Sequence, residues 1–183
     1  NGRFDLGVGK GYRLKEFAGF GIPREQREAL LEEGLEVIQR AWAGDKFSFD
    51  GQFYHLRDVQ ICPKPVQRPH PPLWIGARGK KSVERAARLG YHLMGTGEFE
   101  LQRFYDHALE QHGRNPQDFN LTQLRWMYVS KTRDQAWDEA GPHLSYMFET
   151  AMPLLKEAGD LRKDRAMRDA PGLSDLRKLD PAT

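Results

Sequence analysis

The chain has 183 residues and carries 28 Lys plus Arg against 26 Asp plus Glu, a formal net charge of +2. That length suits one domain, or part of one, that can bury a core, and the balanced charge excludes the lopsided basic face of a general nucleic-acid binder. No apolar run has the roughly 20 residues that cross a bilayer, and the only cysteine, Cys62, excludes an intrachain disulfide. A reduced thiol and no leader pattern make the cytoplasm the expected address.

Residues 3–9, "RFDLGVG", alternate and then turn apolar, as a short strand does. Gly7, Gly9 and Gly11 follow at alternate positions around Lys10. A glycine-rich turn after a strand lets backbone approach a phosphate. This spacing fits neither G-x-G-x-x-G nor G-x-x-x-x-G-K-[ST], so by itself it reads as a tight strand-to-loop turn with a solvated lysine. A loop to Pro23 precedes a helix from about Arg24 to Ala43, where Leu31, Leu35, Ile38 and Trp42 make one apolar stripe. Gly44 sits where a left-handed cap is cheap. In "KFSFDGQFYHL", Asp50-Gly51 between aromatic runs signals a hairpin with a two-residue turn and cross-strand aromatic pairs. The prolines of "CPKPVQRPHPP" favour an extended path.

From Leu73 the rhythm changes. "LWIGA" reads as a buried strand, "KKSVERAARLG" as a helix with Val83, Ala86 and Ala87 inward, and "YHLMGT" as another strand. A helix from about Glu98 to His112 carries Leu101, Phe104, Tyr105, Ala108 and Leu109 on one side. "LTQLRWMYVS" gives the next strand, and a helix from Arg133 places Trp137, Ala140, Leu144 and Phe148 at helical spacing, with Pro142 expected to kink or bound it. Trp42, Trp74, Trp126 and Trp137 read as core. Strand and helix alternate four times, which means parallel pairing in either a doubly wound sheet or a (β/α)8 barrel. About 250 residues are typical of a whole barrel, so four βα units and an inserted hairpin make about half of one. The chain opens at Asn1 and stops at "LDPAT", and both ends read as cut.

In order, "GRFDLGVGKGY…EF…FG", "EALLEEGLEVIQRAW", "FSFDGQFYHLRDVQICPKPVQRPHPPLWIGA" and "SVERAARLGYHLM" resemble the bacterial-luciferase-like family of flavin-dependent monooxygenases, which also includes deazaflavin-dependent oxidoreductases. The resemblance runs over about residues 1–150. It implies an incomplete (β/α)8 TIM barrel, about strands four to seven with an inserted β-hairpin, over residues 1–155. Residues 156–183 are then a charged C-terminal tail of loosely packed helix or loop. The implied activity is oxidation of a small organic substrate with reduced FMN and dioxygen, with a flavin reductase supplying the reduced flavin. With deazaflavin coenzyme F-420 the reaction becomes hydride transfer. A truncated, non-catalytic barrel remnant acting as a binding or assembly subunit is the rival from another class, and the open edges of a half-barrel suggest a homo-oligomer.

The family faces its cofactor with the C-terminal ends of its strands, which implies two phosphate elements here. The Gly9-Lys10-Gly11 turn lets backbone pass close and aims the Lys10 ammonium at the phosphate. In "GARGKKS", Ala77, Arg78, Gly79, Lys80 and Ser82 form an anion site at a helix start, with Lys81 adding charge. Three basic residues there oppose the helix dipole, which an anion or solvent must offset. The rival reading of that cluster is a solvated face. The six histidines show no metal-ligand spacing, and His92 reads as a packing or pocket-edge residue. The resemblance gives the first three βα units and the eighth strand no counterpart here, so catalytic residues contributed from them are not assigned.

Overall fold

The structure, a computed structural model, describes residues 2–77, 79–95, 99–124 and 126–157. In chain order it runs β1 (Leu6–Val8), α1 (Leu14–Gly19), α2 (Arg27–Ala43), β2 (Phe47–Asp50), β3 (His55–Val59), β4 (Leu73–Gly76), α3 (Lys80–Leu89), β5 (His92–Gly95), α4 (Phe99–Gln111), β6 (Leu121–Gln123) and α5 (Arg133–Glu157). Four strands form a sheet in the order β1-β4-β5-β6, every pair parallel. β2 and β3 form a separate antiparallel hairpin between α2 and β4. The expected strands and the inserted hairpin are therefore present. Among the described residues, no helix is long and apolar enough to cross a membrane.

The chain divides into two compact units. The first, Asn1–Lys10 with Glu25–Arg125, holds the sheet, the hairpin and α2 to α4. Its core lies against one face of the sheet: Leu73, Ile75 and Leu93 pack with Val83, Ala86 and Ala87 of α3, with Leu101, Tyr105, Ala108 and Leu109 of α4, and with Leu35 of α2. The small residues of α3 let it approach the sheet closely, and burial of this apolar set drives the packing. Inside, the Tyr105 hydroxyl donates to the Tyr91 carbonyl at 2.6 Å. α3 stops at Gly90, whose φ of 72° is left-handed, and a Cβ there would also collide with the Arg114 guanidinium.

Local chemistry differs from the sequence expectation at several joints, each for a visible reason. The hairpin does not turn on Asp50-Gly51: its loop spans residues 51–54, closed by the Gly51 N–H donating to the Tyr54 carbonyl. The Glu33 carboxylate of α2 accepts the N–H groups of Gln52, Phe53 and Tyr54 at 2.8–3.0 Å, satisfying a longer loop that a two-residue turn would not expose. Phe47 and Phe49 accordingly face Val59 and Leu56 rather than aromatic partners. Gly44 is extended, not left-handed, and the end of α2 is capped instead by the Lys64 ammonium on the carbonyls of Ala41 and Gly44. β6 ends at Gln123, opposite Gly95 of β5, and is shorter than the strand expected over "LTQLRWMYVS".

The second unit, Gly11–Arg24 with Trp126–Thr183, contains α1 and α5. α1 occupies a segment expected to be loop, and α5 continues unbroken past Pro142. Trp126 is 57% exposed and meets Phe148 edge-on at 5.1 Å, so it is not a core residue. The proposed tail from residue 158 onward lies outside the described residues.

Candidate phosphate site at the strand ends

β1 and β4 are neighbours with Val8 opposite Ile75, so the loops that leave them emerge side by side. Continuing that register places Lys10 beside Ala77. Three residues further on, α3 begins at Lys80, with Gly79 as an extended N-cap and no side chain capping the orphan amides. Among the described residues, nothing beyond the chain neighbours lies within 4 Å of where a Cβ would stand on Gly9 or Gly79. These two loops thus present bare backbone, next to an uncapped helix start whose dipole favours an anion.

The residues singled out from sequence take distinct places around this opening. The Ala77 N–H donates to the Met94 carbonyl at 3.1 Å, so Ala77 anchors the loop and its amide is already used. The Ser82 N–H turns back to the Gly79 carbonyl, leaving the half-buried hydroxyl as the available group. The Lys80 ammonium stands 5.5 Å from the centroid of the Phe104 ring, a cation–π contact, while Lys81 is exposed. Arg78 lies outside the described residues. Gly11 has φ 74° and a Cβ there would come within 2.9 Å of Phe17, so it serves the turn into α1.

Lys10 is engaged. Its Nζ lies 2.6 Å from Glu28 Oε1 in the first turn of α2. Glu28 Oε2 accepts from Arg85 of α3, a guanidinium with a side chain only 10% exposed. Arg85 Nε also donates to Glu32 at 2.8 Å, and Glu32 holds Arg88 at 2.8 Å. The Lys10 ammonium, against partial burial and with help from Arg85, holds the Glu28 carboxyl below its ordinary range. Every member of this ladder except Lys10 lines an open cleft of about 390 Å³, together with Lys80, Lys81, Glu84 and Phe104. Sequence reading missed Glu28 and Arg85. The signal was there: Glu28 and Glu32 are one turn apart on α2, as Arg85 and Arg88 are on α3.

The face of the sheet away from the core is different. Register puts Gly7, Trp74 and His92 in one row across the strands, and Gly76, Met94 and Thr122 in the next. The Met94 thioether lies across two strands, 3.0 Å from where a Cβ of Gly7 would stand and, through Cε, 3.9 Å from one on Gly76. Trp74 and His92 rings are 4.5 Å apart, and the Trp74 Nε1–H is buried with no acceptor among the described residues. His92 Nδ1 faces the Asn120 N–H at 3.1 Å, which fixes the neutral tautomer with its proton on Nε2. Burial pulls the His92 pKa below the ordinary imidazole value, opposed by the charge of Asp5.

The family model described as luciferase-like monooxygenase matches residues 1–178. The chain belongs to that family. Among its luciferase-like relatives, the FMNH2-dependent dimethylsulfone monooxygenase of Pseudomonas putida is 34% identical over 91 residues, which are 48% of this chain and 25% of that protein. The monooxygenase RslO1 from Streptomyces bottropensis superposes with a TM-score of 0.70 at 27% identity, covering 90% of this chain and 51% of that one. An F-420-dependent secondary alcohol dehydrogenase shares the fold, with a TM-score of 0.65 at 22% identity over 80% of this chain and 46% of the other. The curated relatives matched are longer proteins, of which this luciferase-like chain spans between 25% and 52%.

Proposed function

We propose that the chain is an arc of a (β/α)8 barrel, about strands four to seven, in a flavin-dependent monooxygenase that oxidises a small organic substrate with reduced FMN and dioxygen. The observation that carries this reading is the conjunction of family and geometry: a luciferase-like match over nearly the whole chain, and two glycine loops opening side by side at the strand ends. The residues present fit a phosphate. Gly9 and Gly79 leave space that a Cβ would fill, and the start of α3 has no side-chain cap. In this reading the Lys80 and Lys81 amides, with Arg78 beside them, and the Ser82 hydroxyl hold the phosphate, and Lys10 brings its ammonium from the β1 loop. Lys80 and Lys81 screen its charge. The face that carries Trp74, His92 and Met94 forms a floor that excludes water and offers the buried indole N–H to a bound group.

Reduced FMN, when bound, supplies the electrons for oxygen chemistry, and the protein supplies binding and orientation. Consuming reduced FMN calls for a separate flavin reductase as partner, a reading supported by the FMNH2 dependence of the dimethylsulfone monooxygenase. Assembly of copies through open sheet edges and a cytoplasmic location complete the proposal. Coenzyme F-420 is the alternative, supported by the F-420-dependent neighbour of the same fold.

The test is a fluorescence titration of FMN, riboflavin and F-420 against the chain and its Lys10→Ala variant. Loss of Lys10 should weaken FMN binding by about 1–3 kcal/mol, the scale of a hydrogen bond to a charged group, and riboflavin, which lacks the phosphate, much less. Equal losses for both flavins, or none, would reduce Lys10 to a loop lysine. Preference for F-420 over FMN would move the assignment to hydride transfer.

A further inference from the structure

We infer that Glu28 competes with the cofactor phosphate for Lys10, and so sets how strongly the site prefers phosphorylated flavins. The inference rests on the phosphate reading above and adds a residue to it. Five side chains form one ladder in the order Lys10, Glu28, Arg85, Glu32, Arg88. Three cations share two carboxylates, so the ladder carries one positive charge more than it neutralises. Lys10 stands at one end with a single carboxylate, whereas Arg85 in the middle has two.

That position makes Lys10 the member most easily given up. When its ammonium leaves, Glu28 still holds Arg85 through its other oxygen, and Arg85 still holds Glu32. No charge is left buried and unpaired, which is the usual obstacle to breaking an ion pair. The side chains of Lys10 and Glu28 are 25% and 42% exposed, so water and salt screen their attraction. A phosphate dianion at the neighbouring loop offers the same ammonium more charge and more acceptor oxygens. The exchange therefore runs toward the phosphate, but binding must first displace Glu28, and the apparent affinity falls by the fraction of Lys10 that Glu28 retains. The device distinguishes FMN from riboflavin only through Lys10, since riboflavin brings nothing to displace the carboxylate.

Glu28→Gln tests this, because the amide oxygen can still accept from Arg85 while the charge that holds Lys10 is gone. FMN should bind three- to tenfold more tightly to Glu28→Gln than to the unaltered chain, with riboflavin unchanged. Glu28→Asp, which keeps the charge but shortens the reach to Lys10, should shift FMN in the same direction and stands in if the amide variant folds poorly. Glu32→Gln, which alters the same ladder without touching Lys10, should leave both flavins unchanged. In a Lys10→Ala background the benefit of Glu28→Gln should vanish. An unchanged or weaker FMN affinity in Glu28→Gln overturns the inference, because Glu28 would then position Lys10 rather than compete for it. So does an equal gain with Lys10 absent, which would mean that the carboxylate acts on the phosphate directly. These outcomes are separable from failure of the phosphate reading itself, which shows as a Lys10→Ala variant unable to tell FMN from riboflavin. A chain that binds neither flavin overturns both.

Discussion

On the helix-facing side of the sheet Leu73, Ile75 and Leu93 are 2% exposed or less, whereas one residue along the same strands Trp74, His92 and Met94 are only partly covered and Gly76 is exposed. Alternation along a strand sends neighbours to opposite faces, so the two faces can be composed independently. One is composed for packing: branched aliphatics against alanines and a valine of α3, with the Tyr105 hydroxyl satisfied by the Tyr91 carbonyl. The other mixes glycines with an indole, an imidazole, a thioether and a hydroxyl, and the Trp74 N–H has no acceptor among the described residues. All-parallel sheets normally have both faces covered. A face with this composition, on a chain that spans only part of its relatives, is equipped to receive something more than aliphatic packing.

The contrast can be broken by substitution. Leu93 is fully buried between α3 and α4, and Leu93→Ala should lower stability by about 2–5 kcal/mol in urea unfolding, through lost burial and the cavity left behind. A loss below about 1 kcal/mol would mean that the helix-facing core is not what holds the unit together.

His92 sharpens the comparison through pH. Its pKa is lowered in the fold, mainly by burial, so between that value and the ordinary 6.5 the unfolded chain binds more protons than the folded one. Stability from this group is fully present above about pH 6.5 and is lost as pH falls below it through the folded pKa. Melting temperature should therefore drop on acidification below about pH 6.5 more steeply for the unaltered chain than for His92→Gln. Parallel pH profiles would show that the imidazole is solvated, and that this face is open where the register places it.

Thr122 gives the smallest effect. It is exposed on the same face as Met94, and Thr122→Ala should change stability by no more than about 0.5 kcal/mol. A larger loss in the same unfolding assay would show that the hydroxyl is held by a partner in solution, and the open face would have to be redrawn as packed.

Much of this architecture is legible from residue order because it rests on period. The stripe of α2, the inward alanines of α3 and the apolar side of α4 each follow from spacing at 3.6 residues, and the four parallel strands follow from their alternation with helices. What went astray lies at joints, where a distant side chain replaces the local solution. Glu33, some 20 residues before the hairpin loop, accepts three of its amides and lengthens it beyond the turn that Asp50-Gly51 suggests. Lys64, 20 residues after Gly44, caps the helix that Gly44 was expected to cap. Trp126 is apolar enough for a core, but it lies beyond the end of β6 and is 57% exposed.

The candidate site divides the same way. The sequence by itself determined that two glycine loops with basic residues follow parallel strands, since glycine spacing and strand rhythm are local properties of the chain. It also determined the family, because that resemblance is a matter of ordered residues. Only the tertiary structure decided who holds Lys10. Glu28 lies 18 residues away and Arg85 a further 57, and nothing in their spacing to Lys10 specifies a contact. Charge pairs form where packing brings side chains within a few ångströms, and here that follows from β1 lying next to β4, which places α2 and α3 side by side so that one carboxylate meets cations from two other segments.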